Sequence, residues 1–351
     1  MGWGYIALSI GCAAGMLVLV GCSDSPPASP AACHLNALAE FPVTVTGDGH
    51  FLIPATIDGK ETKLILDTGA FESALFDSSL RRLGIKYSSF SLEGDATGLG
   101  GDADVGVASL ADFKLGGISY GSLEMPVIVP TGSVRDAQSR SNKRTISDEG
   151  GVIGNNYLSH FDIEFDLSEN KIILFSQDHC RGQVQHWKGV LIGAPFQMAE
   201  PEYDVKTDAI VRRSAEDYRI EIPIIANGKS ILATLDSGSD VNYMTWDFAR
   251  GLGISKDTPG VTRAGVIHGI DGHPIPAYRY VFSTFGIGDE TLINVPVTIG
   301  DVPERVGCSL SNIFILGAGF LKSNRVYIAY KERMIYFTPY NFKYSDGTAG
   351  K

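Results

Sequence analysis

The chain has 351 residues, 44% of them hydrophobic and 20% charged, with a net charge of −11 at pH 7. That length supplies two domains of ordinary size, each able to bury its own core. The acidic balance and the lack of any long Lys/Arg block exclude a phosphate-binding stripe, so nucleic acid is not an expected partner.

The N-terminal stretch YIALSIGCAAGMLVLVGCSDS is apolar as far as Gly21 and polar after Cys22. The 17 positions from Tyr5 to Gly21 are short for a membrane span and suit the apolar core of a signal peptide. Leu19-Val20-Gly21-Cys22 resembles the bacterial lipobox. The resemblance implies a signal peptide over 1–21, acylation of Cys22, and a periplasmic protein held to a membrane by a lipid anchor. The preceding MGWGY has no Lys or Arg, a departure that leaves an uncleaved anchor or a different start codon as alternatives. Residues 22–37, with the run SDSPPASPAA, read as a disordered tether, since Pro and Ser without apolar residues build no core. Export means an oxidising compartment. Cys33, Cys180 and Cys308 then allow at most one internal disulfide. A Cys33–Cys180 bridge would staple the ends of the first repeat, and three buried free thiols are the alternative.

The rest of the chain is a duplication. At an offset of 169 residues, 53–85 aligns with 222–254 without a gap, and 11 of 33 positions are identical. The matches include Ile53-Pro54 with Ile222-Pro223, Gly59-Lys60 with Gly228-Lys229, and Leu66-Asp67 with Leu235-Asp236. They fall on turn and core positions, as an internal repeat requires. In chain order, each copy opens with two apolar runs around Asp58-Gly59 or Asn227-Gly228, a hairpin signal. The second run enters Asp67 or Asp236, and a Gly two residues later permits a sharp turn. DSSLRRLGI and TWDFARGLGI follow as short helices stopped by Gly84 and Gly253. A glycine hairpin comes next, DATGLGGDAD or VIHGIDGHPI. Each copy closes with an apolar pair ending in Gly, Val152-Ile153-Gly154 or Ile315-Leu316-Gly317, and two alternating strands. The first copy carries an extra polar loop, PTGSVRDAQSRSNKRTISDEG. Gly is high at 41 residues, and its clustering between short β-branched runs favours many short strands and tight turns over long helices, so an all-β chain is expected.

Asp67-Thr68-Gly69-Ala70, the flap-like GLGG and the apolar-Gly elements together resemble the retropepsins, the retroviral-type aspartic peptidases. The resemblance covers nearly the whole mature chain. It implies two homologous retropepsin-like β-barrel domains, 38–178 and 203–342, joined by a linker over 179–202 and followed by a tail over 343–351. They would form a pseudo-dimer within one chain, with the active site at their interface. Asp67 and Asp236 would be the catalytic pair. Thr68 and Ser237 would cross-link the two loops, and Gly69 and Gly238 would aim backbone N–H groups at the carboxylates. The flap tips, Gly98-Leu99-Gly100-Gly101 and Gly269-Ile270-Asp271-Gly272, would close over an extended peptide.

The chemistry wants this pairing. Two carboxylates about 3 Å apart cannot both ionise easily, so they share a proton. One activates a water and the other polarises the carbonyl, with no metal or cofactor required. The copies differ after the second glycine, where Ala70 faces Ser239. A Ser239 hydroxyl donating to Asp236 would place the charge there and make Asp236 the base. A peptide-binding module that keeps the fold without turnover is the alternative function, and pairing of repeats across two chains is an alternative to a monomer. The set His268, Asp271 and His273 fits no tight zinc spacing and reads as a solvated loop. The glycines at 98–101 do not lead from a strand into a helix, so they are no phosphate cradle. Trp187 and the residues around it are expected to pack as a linker on both halves.

Overall fold

The computed structural model describes residues 34–47, 49–89, 96–98, 101–129, 149–198, 219–268, 274–301 and 313–340. Cys22, the tether as far as residue 33, both flap tips apart from Gly98 and Gly101, most of the extra polar loop, and the C-terminal tail lie outside them.

The hairpin signals fold as hairpins. Phe51–Ile57 pairs with Lys60–Leu66, and Ile220–Ala226 with Lys229–Leu235. At the turns, Asp58 and Gly59 have φ of 49° and 75°, and Asn227 and Gly228 have 46° and 80°. Positive φ at both central residues is the turn that follows the natural twist of two strands, and Asn, Asp and Gly tolerate it best. The turn side chains are used as well. Asp58 Oδ1 accepts N–H bonds from Ala111 and Asp112 at 2.7 and 3.0 Å. Asn227 Oδ1 accepts from Ser283 Oγ and Thr284 N at 3.0 and 3.2 Å. Each tight turn is thereby tied to the long hairpin of its own repeat.

Each repeat then closes into a six-stranded barrel. In the first, Lys60–Leu66 lies parallel to Glu149–Ile153, which pairs antiparallel with Ala74–Phe76. Ala74–Phe76 runs parallel to Ile118–Val129, whose antiparallel neighbour Gly101–Leu115 returns to Phe51–Ile57. The second repeat follows the same path through Lys229–Leu235, Phe314–Leu316, Tyr243–Thr245, Glu290–Gly300 and Pro274–Ile287, back to Ile220–Ala226. Closure leaves no free edge within either ring. The interiors are filled by large apolar side chains, including Phe51 and Phe113 in the first repeat and Phe282, Phe285 and Phe314 in the second, all at most 1% exposed.

A third sheet joins the halves. Its strand order is Ala37–Pro42, Lys171–Phe175, Asp162–Asp166, Asn324–Ala329, Met334–Pro339 and Ile192–Pro195. The seam is the antiparallel pair in which Ile163 faces Ile328 and Phe165 faces Val326. The linker is part of this architecture: Ile192–Pro195 forms one edge of the shared sheet and Gln197–Met198 pairs onto the second barrel. Trp187 Nε1 donates to Thr338 Oγ1 at 2.8 Å, and His186 Nε2 meets Glu164 Oε2 at 2.5 Å. The linker thus packs on both repeats. Cys180 within it is disulfide-bonded, to a partner outside the described residues.

Candidate active site

Both DxG loops leave a barrel strand at the same place and are anchored in the same way. Asp67 N donates to Ile153 O at 3.1 Å, and Asp236 N donates to Leu316 O at 3.0 Å. These carbonyls belong to the apolar-Gly elements, so each element directly supports its own Asp. The glycines that end them cannot be replaced by a larger residue. A Cβ on Gly154 would lie 2.8 Å from Ala70 O, and one on Gly317 would lie 2.2 Å from Val241 O.

The two loops are bound to each other. Thr68 N donates to Ser237 Oγ at 3.0 Å, and Ser237 N donates to Thr68 Oγ1 at 3.0 Å. Thr68 Oγ1 donates to Leu235 O at 2.8 Å, and Ser237 Oγ to Leu66 O at 2.6 Å. Both side chains are fully buried. The glycines do more than the sequence indicates. Gly69 N and Gly238 N donate to Oδ1 of their own Asp at 2.9 and 2.8 Å. Each glycine also lies against the opposite carboxylate. A Cβ on Gly69 would sit 2.3 Å from Asp236 Cγ, and one on Gly238 would sit 2.4 Å from Asp67 Cγ. Only a hydrogen in place of a side chain lets the carboxylates come together.

Asp67 and Asp236 are hydrogen-bonded to one another. Burial pushes the Asp67 carboxyl up, while the bond from Asp236, the N–H groups of Ala70 and Gly69, and the charge of His50 oppose the rise. Burial raises Asp236 further, with the charge and hydrogen bond of Asp67 adding to the effect. The pair therefore retains one proton above the ordinary carboxylate range and titrates as a unit.

The hydroxyl bond expected from Ser239 to Asp236 is not made. The Ser239 hydroxyl donates to Val241 O at 2.9 Å, closing a local turn. Asp236 receives the Ser239 backbone N–H at 3.1 Å, matched by Ala70 N on Asp67 at 3.0 Å. The difference between Ala70 and Ser239 therefore gives neither carboxylate an extra donor.

Of the flap residues, Gly98 and Gly101 face each other at the end of the hairpin between Ala96–Gly98 and Gly101–Leu115. Leu99, Gly100, Gly269, Ile270, Asp271 and Gly272 lie outside the described residues. Sequence reasoning missed the supports behind the loops. Ser73 Oγ accepts from Gly154 N at 2.8 Å and donates to Asn156 Oδ1 at 2.7 Å. At the matching place in repeat two, Asn242 Oδ1 accepts from Gly317 N at 3.0 Å. The signal available was the polar pair Asn155-Asn156 directly after an apolar-Gly run.

The profile of the aspartyl protease family matches residues 53–156 and 222–320, which is more than half the chain. The chain belongs to that family, in its retropepsin-like form, with both halves on one polypeptide. No curated protein matches the sequence. Among solved structures, an aspartic proteinase from Irpex lacteus is 13% identical, with a TM-score of 0.45 over 88% of this chain and 98% of that one.

Proposed function

We propose that the protein is an endopeptidase that hydrolyses peptide bonds with a water activated between Asp67 and Asp236. The observation that supports this best is the reciprocal packing of Gly69 and Gly238 on the opposite carboxylates, which brings two buried acids from two repeats onto one proton. In the working state one carboxylate is ionised and the other protonated. The ionised one removes a proton from water as its oxygen bonds to the scissile carbonyl carbon. The protonated one gives its proton to the carbonyl oxygen, and a gem-diol forms. The C–N bond then breaks as a proton from the acid goes to nitrogen. A diol hydroxyl proton returns to the pair, which is left again with one proton. Buried N–H donors hold the charge in place, so little reorganisation is needed during the reaction.

The substrate is an extended peptide, taken under the two glycine hairpins, and the working unit is the monomer with its internal pseudo-dimer. Acylated at Cys22, the mature protein would work at a membrane surface in the periplasm, on a Pro/Ser tether. Incubation of the full-length protein with a mixed peptide library across pH, read by mass spectrometry, tests the activity. Internal cleavage that is lost on substitution of either Asp supports it, and intact peptides at every pH refute it.

A further inference from the structure

The two DxG loops are near-symmetric in their own bonds, but what stands behind them is not. Asn155 N donates to Ala70 O at 2.9 Å, and Ala318 N donates to Ser239 O at 2.7 Å. Asn155 and Ala318 therefore occupy matching places. Asn155 has a carboxamide there, fully buried, and Ala318 has only a methyl group.

That amide bridges two repeats. Asn155 Nδ2 donates to Thr68 O at 2.6 Å, and Asn155 Oδ1 accepts from Tyr330 OH at 2.5 Å. Tyr330 belongs to the turn between Asn324–Ala329 and Met334–Pro339, in the other repeat. Its own backbone N–H donates to Asp162 Oδ1 at 3.0 Å, back in the first repeat. Asp162 Oδ2 is held by His179 Nε2 at 2.5 Å and by Tyr327 OH at 3.3 Å. Burial keeps the Tyr330 phenol protonated far beyond its ordinary range, so it is a permanent donor. The amide has one consistent orientation: its oxygen takes the phenol proton and its nitrogen serves the carbonyl.

The carbonyl of Thr68 and the N–H of Gly69 are the two ends of one planar peptide group. That N–H is the one bonded to Asp67 Oδ1 at 2.9 Å. A donor on the carbonyl end fixes the plane and polarises the group, which makes the N–H a stronger donor to the carboxylate. The matching Ser237–Gly238 peptide faces Ala318, which cannot donate. We propose that Asn155, braced by Tyr330 across the repeats, is a positioning residue that steadies the Thr68–Gly69 peptide and directs the negative charge of the dyad to Asp67, leaving Asp236 the proton. This rests on the catalytic pair proposed above and assigns its base and its acid.

The charged and titratable groups facing this chain of bonds are Asp236 and His50 around Asp67, Asp162 at Tyr330, His179 and Tyr327 on Asp162, and Glu332 beside His179. Of these, His50 also favours charge on Asp67. A test must therefore change the amide and leave His50 in place.

The test is a carbon-13 NMR titration of the full-length chain labelled at aspartate Cγ, with Asp67→Asn and Asp236→Asn to assign the signals. It needs no turnover. In the wild type, Asp67 Cγ takes the larger part of the first ionisation step. In Tyr330→Phe, which removes one oxygen, and in Asn155→Ala, that step moves to higher pH, by about half a unit or a threefold weaker acid in the latter. Thermal melting establishes which variants are folded, and if Asn155→Ala is not, Tyr330→Phe decides. A first step centred on Asp236 in the wild type overturns the proposal. So does an unmoved step, or one moved to lower pH, in a folded variant. Cleavage of the peptide library by the same samples is scored separately, so failure of the peptidase activity is told apart from failure of the charge assignment.

Discussion

Thr68 and Ser237 each accept the other's backbone N–H at 3.0 Å and each donate to the carbonyl that precedes the other's Asp. Four buried bonds between two repeats thereby converge on the pair of carboxylates. Removing one hydroxyl leaves a buried N–H and a buried carbonyl unsatisfied, each costing about 1–3 kcal/mol. Thr68→Val, which keeps the shape, is expected to lower the melting temperature and reduce turnover together. Thr68→Ser, which keeps the oxygen, is expected to restore most of both. Calorimetry alongside peptide cleavage measures it, and a Val variant as active and stable as wild type would refute the cross-link.

The close approach of Gly69 to Asp236 gives a sharper test of geometry. Gly69→Ala puts a methyl group 2.3 Å from Asp236 Cγ, so the carboxylates must separate. Gly69 lies in the loop after Lys60–Leu66 and in no strand itself, and circular dichroism is expected to remain native. Cleavage is expected to fall about a hundredfold or more, because the shared water loses one of its two partners. Gly238→Ala is expected to do the same from the other side.

Much of this site is written in local sequence. Asp58-Gly59 and Asn227-Gly228 announce their turns because few residues tolerate positive φ at both central positions. The Asp, hydroxyl and glycine triplets recur at a fixed offset, so the pairing of Thr68 with Ser237 follows from the duplication. The close contact of each glycine with the opposite carboxylate does not, because it depends on how the repeats dock. The strand DIEFD is a second failure of local pattern. It alternates polar and apolar residues, as a strand with one wet face does, yet Asp162, Glu164 and Asp166 are all at most 1% exposed. The linker and the opposite repeat cover that face, and its carboxylates are met by His179, His186 and Arg325. Such partners lie far away in sequence, and no local period reports them. The role expected of the Ser239 hydroxyl failed for the opposite reason, since a neighbouring carbonyl two residues on claimed the proton.

The buried pair of His179 and Asp162 makes stability depend on pH. Burial alone would lower the His179 imidazole, but the Cys180 carbonyl and the Asp162 carboxylate outweigh it and hold it above its ordinary value. Burial likewise raises Asp162. Both groups bind protons more tightly in the folded state than in the unfolded one. The His179 contribution is complete below the unfolded value of about 6.5 and is lost as pH rises through the folded value. The melting temperature is expected to fall as pH rises above neutrality, and His179→Asn is expected to flatten that slope. Equal slopes in the two proteins would contradict the assignment.

Cys22 closes an apolar segment of signal length and precedes a Pro/Ser tether. Metabolic labelling with a fatty-acid analogue is expected to mark the wild-type protein and leave Cys22→Ala unmarked. Equal labelling of both would remove the lipid anchor from the account.

The most direct measurement is cleavage of one peptide substrate by Asp67→Asn and by Asp236→Asn, each compared with wild type under saturating substrate. The two acids share one proton and one water, so neither can stand in for the other. Each single variant is expected to lose about 10²–10⁴-fold in kcat with a native circular dichroism spectrum. Near-wild-type turnover in either folded variant would contradict a dyad of Asp67 and Asp236.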